Sequence, residues 1–574
     1  MSFERICIAI DFGTTQTTAT YYDYQQSKPI IIKNSHGNDF FRSALLFKSI
    51  SKGEVLFGNE IANTEILFEK KENYITEMKR FIGRKYLDVI NTPEDKQRLA
   101  MYSIHENENG DIKINIKIKN ENEENCISLL PQQLVAIQLN KLKTIVDKIM
   151  NQNEYSDKIT DYDVVVSFPV SFDENQKLAL KRAYEIAGFN VKTMITEPSA
   201  AILHYIKETN DKFDKCVLVD IGGGTTDVVV CERKPNGDIK VLGSSGDQEC
   251  GGSDLDYIIV KMVKQYLIDN RVETSVFEYD ERQYEDKTKR FKEQMKKNVE
   301  SFNSRLKYLS ENAKIKMTVD EYTSILSIEL FKDENGYSMN EIVIQRENFE
   351  ENVRESGFLK HITDCINHAM LKASVEKKDI DRVILVGGTT KVPIVKNHIA
   401  KLLGEEKMTQ KTNYDPMTAV AQGSCLYCIE SKDKINIYTD LQKSINLVLA
   451  NGKVFKLIPK GTRLPFALTS WGPFKTSRNN QTEVIFKLSE GESKFADFND
   501  PLISYKATNL STFETTQLQF NIKIEINNLG ELRFFVEEIN SQNQIVEMNV
   551  RLTYDLTENE VKEMKTKIWN FLDN

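Results

Sequence analysis

Two stretches of this chain share one construction, and together they restrict the fold more than any other feature. In "IAIDFGTTQTTATYY", Ile8–Tyr22, an apolar run ends on a carboxylate and turns through Gly-Thr-Thr into a second run of β-formers. In "VLVDIGGGTTDVVVC", Val217–Cys231, the same order recurs. Short apolar runs bounded by glycine predict strands, so each stretch predicts a strand–turn–strand hairpin. Glycine turns present backbone N–H groups with no side chain in the way, and phosphate oxygens can approach them. Three such turns occur: Gly13-Thr14-Thr15, Gly222-Gly223-Gly224-Thr225-Thr226 and Gly387-Gly388-Thr389-Thr390. One turn alone is most simply a tight hairpin. Two turns, each entered from an apolar strand that ends in Asp, are hard to obtain from hairpin chemistry. A carboxylate beside a phosphate is repulsive unless a cation lies between them. Asp11 and Asp220 therefore predict Mg²⁺, held through water because this ion keeps part of its hydration shell. Asp227 follows on the next strand, where it could orient an attacking water.

The chain has 574 residues, too many for one hydrophobic core, and about two to four domains are expected. Strands and helices alternate through the first part. "DIKINIKIKN" alternates apolar and polar residues as a half-buried strand does, and Pro131 opens a helix at a favourable first-turn position. "DYDVVVSFPVSF" reads as a buried strand, "DENQKLALKRAYEIAGF" as a helix closed by Gly188, and "EPSAAILHYIKE" as another helix. The layout then repeats from 217–231 through a long charged helical region to "DRVILVGGTTKVPIVKNHIAKLL". This predicts a duplicated α/β unit of two lobes, with the glycine turns on the two walls of one cleft. Beyond about residue 440 the period becomes two, in "NLVLANGKVFKLI", "TEVIFKLSEG" and "QLQFNIKIEINNLGELRFFVEE", with glycine-containing turns between. That predicts a small all-β domain. Thr557 and Glu560 make a capping box for one short terminal helix. The expected division is 1–430 for the α/β nucleotide-binding domain, 431–443 for a linker, 444–555 for a β-sandwich and 556–574 for the helix.

Net charge is −9, so no global basic field recruits nucleic acid. The basic runs are mixed with acids and read as solvated helix faces. The N-terminal residues carry no basic region followed by an apolar segment, so no signal peptide is expected, and no apolar run approaches membrane-spanning length. Eight scattered cysteines fit a reducing, cytoplasmic setting. Cys425 and Cys428 are the one tight pair; a common zinc site needs a second. The six histidines show no ligand spacing.

Residues 6–430 resemble the actin–hexokinase–heat-shock ATPase superfamily and, within it, the seventy-kilodalton heat-shock chaperones of the DnaK type. The matches come in order: "AIDFGTTQT", "MKRFIGR", "VVVSFPVSFDENQK", "AGFNVKTMITEPSAAILHY", "LVDIGGGTTDV", "GDQECGGSDLD", "ENAKIKMT" and "VILVGGTTKVP". The resemblance implies a two-lobed ATPase that binds ATP and Mg²⁺. It implies that Thr14 and Thr15 contact the phosphates and the metal shell, and that Lys79 neutralises phosphate charge. Glu197 would stand near the metal. Gly222, Gly223, Gly224 and Thr225 would cradle phosphate, and Asp227 would place water. Gly251 and Gly252 would line the cleft wall. Glu311, Lys314 and Thr318 would bind adenosine, with Gly387, Gly388 and Lys391 below the base. Pro169 and Lys177 resemble the family's relay toward its second domain. Several departures stand out. Ile315 stands where the family has an arginine after the adenosine lysine, Lys391 replaces another arginine near the base, and an asparagine-proline-aspartate triplet reads Asp415-Pro416-Met417. The linker "INIYTDLQK" is less apolar than the family's, and the chain stops about where the family's helical lid begins.

The reading is an ATP-driven chaperone whose clients are unfolded or extended polypeptides, working with a J-domain co-chaperone and a nucleotide exchange factor. A small-metabolite kinase and an actin-like filament protein of the same superfamily are rival readings, as is a non-hydrolysing regulator of a true chaperone. Residues 440–555 argue against the kinase. Asp11, Lys79, Asp220 and Asp227 argue against the regulator.

Overall fold

The apolar run that ends in Asp11 forms β1 (Ile6–Phe12), and after the Gly-Thr-Thr turn β2 (Gln16–Asp23) pairs antiparallel to it, Asp11 opposite Thr18. This is a computed structural model that describes residues 6–61, 73–92, 102–120, 123–152, 162–319, 323–326, 341–409, 414–429, 435–441, 443–507, 510, 517–526, 532–539, 546–549 and 561–566. By its internal contacts the chain falls into two units. One holds Met1–Val230, Gly243–Lys434 and Leu556–Asn574; the other holds Cys231–Leu242 and Ile435–Asp555.

In the first unit, β3 (Lys28–Ile31) and the short β4 (Phe41–Arg42) both pair with β2. A small sheet, order β6-β5-β7, is made by β5 (Ala44–Ser49), β6 (Glu54–Phe57) and β7 (Tyr74–Thr76). After α1 (Tyr86–Ile90), β8 (Ser103–Glu106), β9 (Ile112–Asn120) and β10 (Glu123–Leu129) make another. In β9 the isoleucines Ile112, Ile114 and Ile116 are fully buried, as the period-two pattern predicts. Pro131 is the first residue of α2 (Pro131–Gln152). Next, β11 (Tyr162–Phe168) lies parallel to β1, and α3 (Glu174–Ala187) crosses over to β12 (Asn190–Thr196), parallel to β11. Asp173 caps α3 in a reciprocal box with Gln176, and Gly188, at φ 94°, closes it. The sheet order is β12-β11-β1-β2-β3. Thr196 then caps α4 (Glu197–Thr209).

The second lobe repeats this plan. Its strands are β13 (Lys215–Ile221), β14 (Thr226–Arg233), β15 (Ile239–Asp247) and β18 (Arg382–Val386), in the order β18-β13-β14-β15. As in the first lobe, the strand bearing the acid is central, its hairpin partner lies on one side and a parallel strand on the other. Between them run α5 (Gly252–Asp269), the long charged α6 (Lys289–Val319), the pair β16 (Thr323–Leu326) and β17 (Ile342–Gln345), then α7 (Arg346–Glu355) and α8 (Phe358–Ala373). α9 (Pro393–Leu403) follows, and α10 (Ala419–Cys428) returns to pack on α4 and across β1, β2 and β11. The approach is close: a Cβ on Gly423 would lie 1.8 Å from the Ala200 carbonyl oxygen, and the Thr20 hydroxyl donates to Ala421 O at 3.0 Å.

Cysteine is where the structure departs from the sequence reading. Cys7 on β1 and Cys428 at the end of α10 are joined in a disulfide, with Cα atoms 6.3 Å apart. The partners are 421 residues apart, a proximity made by α10 crossing β1. Cys425, one turn earlier, is free and buried.

In the second unit β19 (Ile437–Thr439) lies parallel to residues 239–241 at the start of β15. The ladder is held by polar contacts. The Asp238 carboxylate accepts from the Asn436 backbone N–H at 3.1 Å and its amide at 3.0 Å, Lys240 pairs with Asp440 at 2.6 Å, and Arg463 stacks 3.7 Å from the Tyr438 ring centre. Residues 431–434 and 442 of the expected linker lie outside the described residues. Eight further strands follow: β20 (Ile445–Val448), β21 (Val454–Ile458), β22 (Phe466–Lys475), β23 (Val484–Glu490), β24 (Asp500–Ala507), β25 (Gln519–Ile526), β26 (Leu532–Glu538) and β27 (Val546–Asn549). They form two four-stranded sheets, β21-β20-β23-β24 and β22-β25-β26-β27. Leu447, Phe486 and Leu488 from one sheet meet Phe520, Ile522 and Phe534 from the other in a single core. Residues 561–566 are helical, while Thr557 and Glu560 lie outside the described residues. Among the described residues no helix is long and apolar enough to cross a membrane.

Candidate functional site

Both glycine turns sit at the ends of central strands, and they meet. A Cβ on Gly223 would lie 2.3 Å from the Thr15 hydroxyl, and one on Gly224 would lie 2.5 Å from the Thr14 hydroxyl. Only glycine lets the two turns come this near. The second turn is closed by a Gly222 N–H to Thr225 O bond of 3.0 Å. Gly251 and Gly252, at the start of α5, are equally tight: a Cβ on Gly251 would lie 2.6 Å from the Gly224 backbone, and one on Gly252 2.6 Å from the Thr389 hydroxyl. The third turn closes from beneath. Gly387 has φ +80°, a Cβ there would lie 2.3 Å from Ile221 O, and the Thr389 hydroxyl donates to Gly222 O at 2.8 Å.

Beneath the turns lies a buried cluster of charge. Asp11 accepts from the Ser167 hydroxyl at 3.0 Å, and Asp227 accepts from the Ser171 N–H at 3.1 Å. Lys79, in the one-turn helix Met78–Arg80, reaches Glu197 at the start of α4 at 2.5 Å. Burial pushes the Asp11 carboxyl up to about 7, aided by Glu197 and only partly opposed by Lys79 and Ser167. Asp227 is pushed to about 7 by burial and then Glu197. Asp220 is raised well above the usual carboxylate range by burial and by Glu197, Asp227 and Asp11. Burial alone would lower Lys79, but Glu197, Asp11 and Asp220 outweigh it and hold the ammonium above its ordinary value. Four carboxylates thus share one lysine in a dry setting, which is costly without a further cation. Among the described residues no three acidic, His or Cys groups converge as direct ligands. The donor set therefore fits a hydrated Mg²⁺, bound through its waters, and does not fit a dehydrated ion.

One cleft is lined by Asp11, Lys79, Glu197, Asp220, the three glycine turns, Glu311, Lys314, Ile315, Thr318 and Lys391. Lys314 is anchored by Asp256 at 2.7 Å and by Gly252 O at 2.7 Å, and Thr318 donates within its own helix to Lys314 O at 3.0 Å. Lys391 pairs with Asp415 at 2.8 Å at the exposed rim. Asp227 and Gly251 stand just behind the wall. Pro169 and Lys177 lie apart from it, with Pro169 O accepting from the Phe172 N–H at 3.2 Å and the Lys177 ammonium 5.3 Å from the Phe168 ring centre. Residues that the sequence reading missed also contribute. Phe40 lines the cleft, Ser167 holds Asp11, Asp256 holds Lys314, and Arg42 pairs with Glu311. Phe40 and Arg42 belong to "NDFFRS", which has no motif to flag it.

Two like lobes, each ending a central strand in an acid and a glycine turn at one shared cleft, have the plan of the actin-type ATPases. The Hsp70 protein family matches residues 7–572, and the chain belongs to that family. It is similar to the chaperone protein DnaK of Cyanidium caldarium, 27% identical over 534 residues, covering 92% of this chain and 78% of that one. It is likewise similar to the chaperone protein DnaK of Deinococcus proteolyticus, 28% identical over 539 residues, 92% of this chain and 76% of that one. The same-named protein of Carsonella ruddii is 29% identical over 534 residues, 92% and 80%. The protein is thus an ATP-dependent chaperone with the ATPase activity of its family, which binds ATP with Mg²⁺.

Proposed function

We propose that ATP lies with its phosphates between the two glycine turns and its adenosine against α6, and that its hydrolysis changes the grip of the 444–555 domain on extended polypeptide. The observation that carries this reading is the meeting of Thr14 and Thr15 with Gly223 and Gly224 in one cleft with Asp11, Glu197, Asp220 and Lys79. In this reading the N–H groups of both turns, with the Thr14, Thr15 and Thr225 hydroxyls, bind phosphate oxygens. Lys79 spreads positive charge onto the transferring phosphoryl group, and Glu197 keeps it there. Asp227 orients the attacking water. Asp11 and Asp220 would hold a hydrated Mg²⁺ through its waters, and the ion would supply charge neutralisation at the phosphates. Gly251 and Gly252 keep the wall thin. Glu311, Lys314 and Thr318 contact adenosine, with Gly387, Gly388 and Lys391 below the base. Pro169 and Lys177, which do not line the cleft, serve as the relay.

The division into 1–430, 431–443, 444–555 and 556–574 is part of this proposal. So is peptide binding by the β-sandwich through strand-edge hydrogen bonds and an apolar pocket. A J-domain co-chaperone and a nucleotide exchange factor are the partners this reading calls for. The test is steady-state ATPase with and without an unfolded polypeptide. Stimulation by the polypeptide is expected; stimulation instead by a small hydroxylated metabolite, with its phosphorylation, would select the kinase reading.

A further inference from the structure

Arg42 stands outside every motif, yet its surroundings are as constrained as those of Lys79. β4, which ends on Arg42, is welded to the first phosphate turn. Arg42 is opposite Gln16 in register, the Ser43 N–H donates to Thr15 O at 2.9 Å, and the Ser43 hydroxyl donates to Gly13 O at 2.8 Å. The guanidinium then leaves the first lobe. Its Nε donates to the Tyr74 hydroxyl at 3.1 Å, its plane lies 5.2 Å from the Tyr308 ring centre, and one terminal nitrogen donates to Glu311 Oε2 in a short ion pair. Tyr308 and Glu311 are three residues apart on α6, hence on one face. A second contact of the same kind lies one turn earlier, where Glu77 meets Lys307 at 2.5 Å.

Glu311 lines the nucleotide cleft, and Arg42 lines the cavity adjoining it. Burial alone would raise the Glu311 carboxyl, but Arg42 first and Lys314 second hold it below its ordinary value. The carboxylate is therefore kept ionised, with Oε2 occupied by Arg42 and Oε1 left as an acceptor. A guanidinium that fixes one oxygen of a carboxylate fixes the direction of the other.

We infer that Arg42 is a positioning residue for nucleotide recognition: it holds Glu311 so that the free oxygen accepts a hydroxyl of the ribose. The inference rests on the placement of adenosine against α6 proposed above. It predicts that Arg42 governs selectivity for the sugar hydroxyls and leaves the hold on the phosphates alone.

The test is titration of the full chain with Mg²⁺-ADP and with Mg²⁺-2′,3′-dideoxy-ADP. A hydrogen bond to a charged group predicts that the wild type prefers ADP by about tenfold or more. Arg42→Gln should lose most of that preference while its affinity for the dideoxy nucleotide stays within about threefold of wild type. Arg42→Lys, which keeps the charge without the planar fork, should restore part of it. Glu311→Gln should lose the preference too, and the double variant should be no worse than either single change, as expected of one coupled unit. Equal weakening of both nucleotides in Arg42→Gln, or weakening of neither, would overturn the inference. Failure of the wild type to bind any adenine nucleotide would overturn the placement of adenosine itself.

Discussion

Lys79 shows how far one side chain can be argued. It is the cation of a cluster with four acids, and it is 4% exposed. Replacing a group aimed at developing phosphoryl charge costs ~10²-fold or more in rate, so Lys79→Ala should retain nucleotide but hydrolyse it about a hundredfold more slowly. The same change strands Glu197 in the interior, and breaking a buried pair costs roughly 3–5 kcal/mol. A fall in thermal stability without nucleotide should therefore accompany the lost turnover, and a normal melting temperature with normal turnover would place Lys79 outside the mechanism. His204 offers a second residue-scale test. Burial lowers it to about 4, its ring 5.9 Å from that of Tyr414. Between that value and the ordinary histidine value the unfolded chain binds a proton that the folded chain refuses, so stability must fall as pH falls. From pH 7.5 to 5 the loss is about 2 kcal/mol. His204→Gln should flatten the urea-midpoint profile over that range, and an unchanged slope would contradict the buried neutral imidazole. Asp11 and Asp220 were legible in the sequence as a matched pair because each ends an apolar run beside a glycine turn. Ser167, Phe40 and Arg42 were not, because they meet the site through pairings that only the folded chain makes.

At the scale of elements, Gly423 decides between two opposed effects. In the middle of α10 alanine is favoured over glycine by about 1 kcal/mol through helix propensity. Here its Cβ would lie 1.8 Å from a backbone carbonyl of α4, which cannot swing aside as a side chain can. Overpacking costs ~1–3 kcal/mol in cores that can relax, so Gly423→Ala should destabilise by at least ~2 kcal/mol in chemical denaturation. A stabilised variant would mean that α4 and α10 are farther apart than described. β19 provides a contrasting case. Its ladder to residues 239–241 depends on Asp238 as a double acceptor, and the segment "INIYTDLQK" is less apolar than the family's linker. Asp238→Ala should speed amide exchange at 437–439 by about tenfold or more, since one or two hydrogen bonds of ordinary worth are lost. Unchanged protection would show that the ladder holds without the side chain. Helices with capping and closing residues, such as α3, and alternating strands, such as β9, were readable residue by residue. The pairing of β19 was not, because a three-residue strand carries too little periodicity.

At the scale of the molecule, the duplication was visible because the acid–glycine construction occurs twice, each time on a strand flanked by its hairpin partner and a parallel strand. The meeting of residues far apart in the chain was not visible, and the thiols are the clearest instance. Six cysteines are free and two are joined, so titration under denaturing conditions without reductant should find six thiols, and eight after reduction. Eight in both conditions would remove the link. The same feature has a consequence for the way the chain is made. β1 lies at the middle of its sheet, but the helix that covers it, α10, comes 421 residues after Cys7 at their junction. At ribosomal rates of ~5–20 residues per second, roughly 20–80 s separate the appearance of the two. For that interval Cys7, Ala9 and Thr20 wait without their cover, and a strand made long before α10 is finished only when α10 arrives. A chain of this family would itself pass through that interval as an incomplete fold, its central strand lacking the helix that covers it.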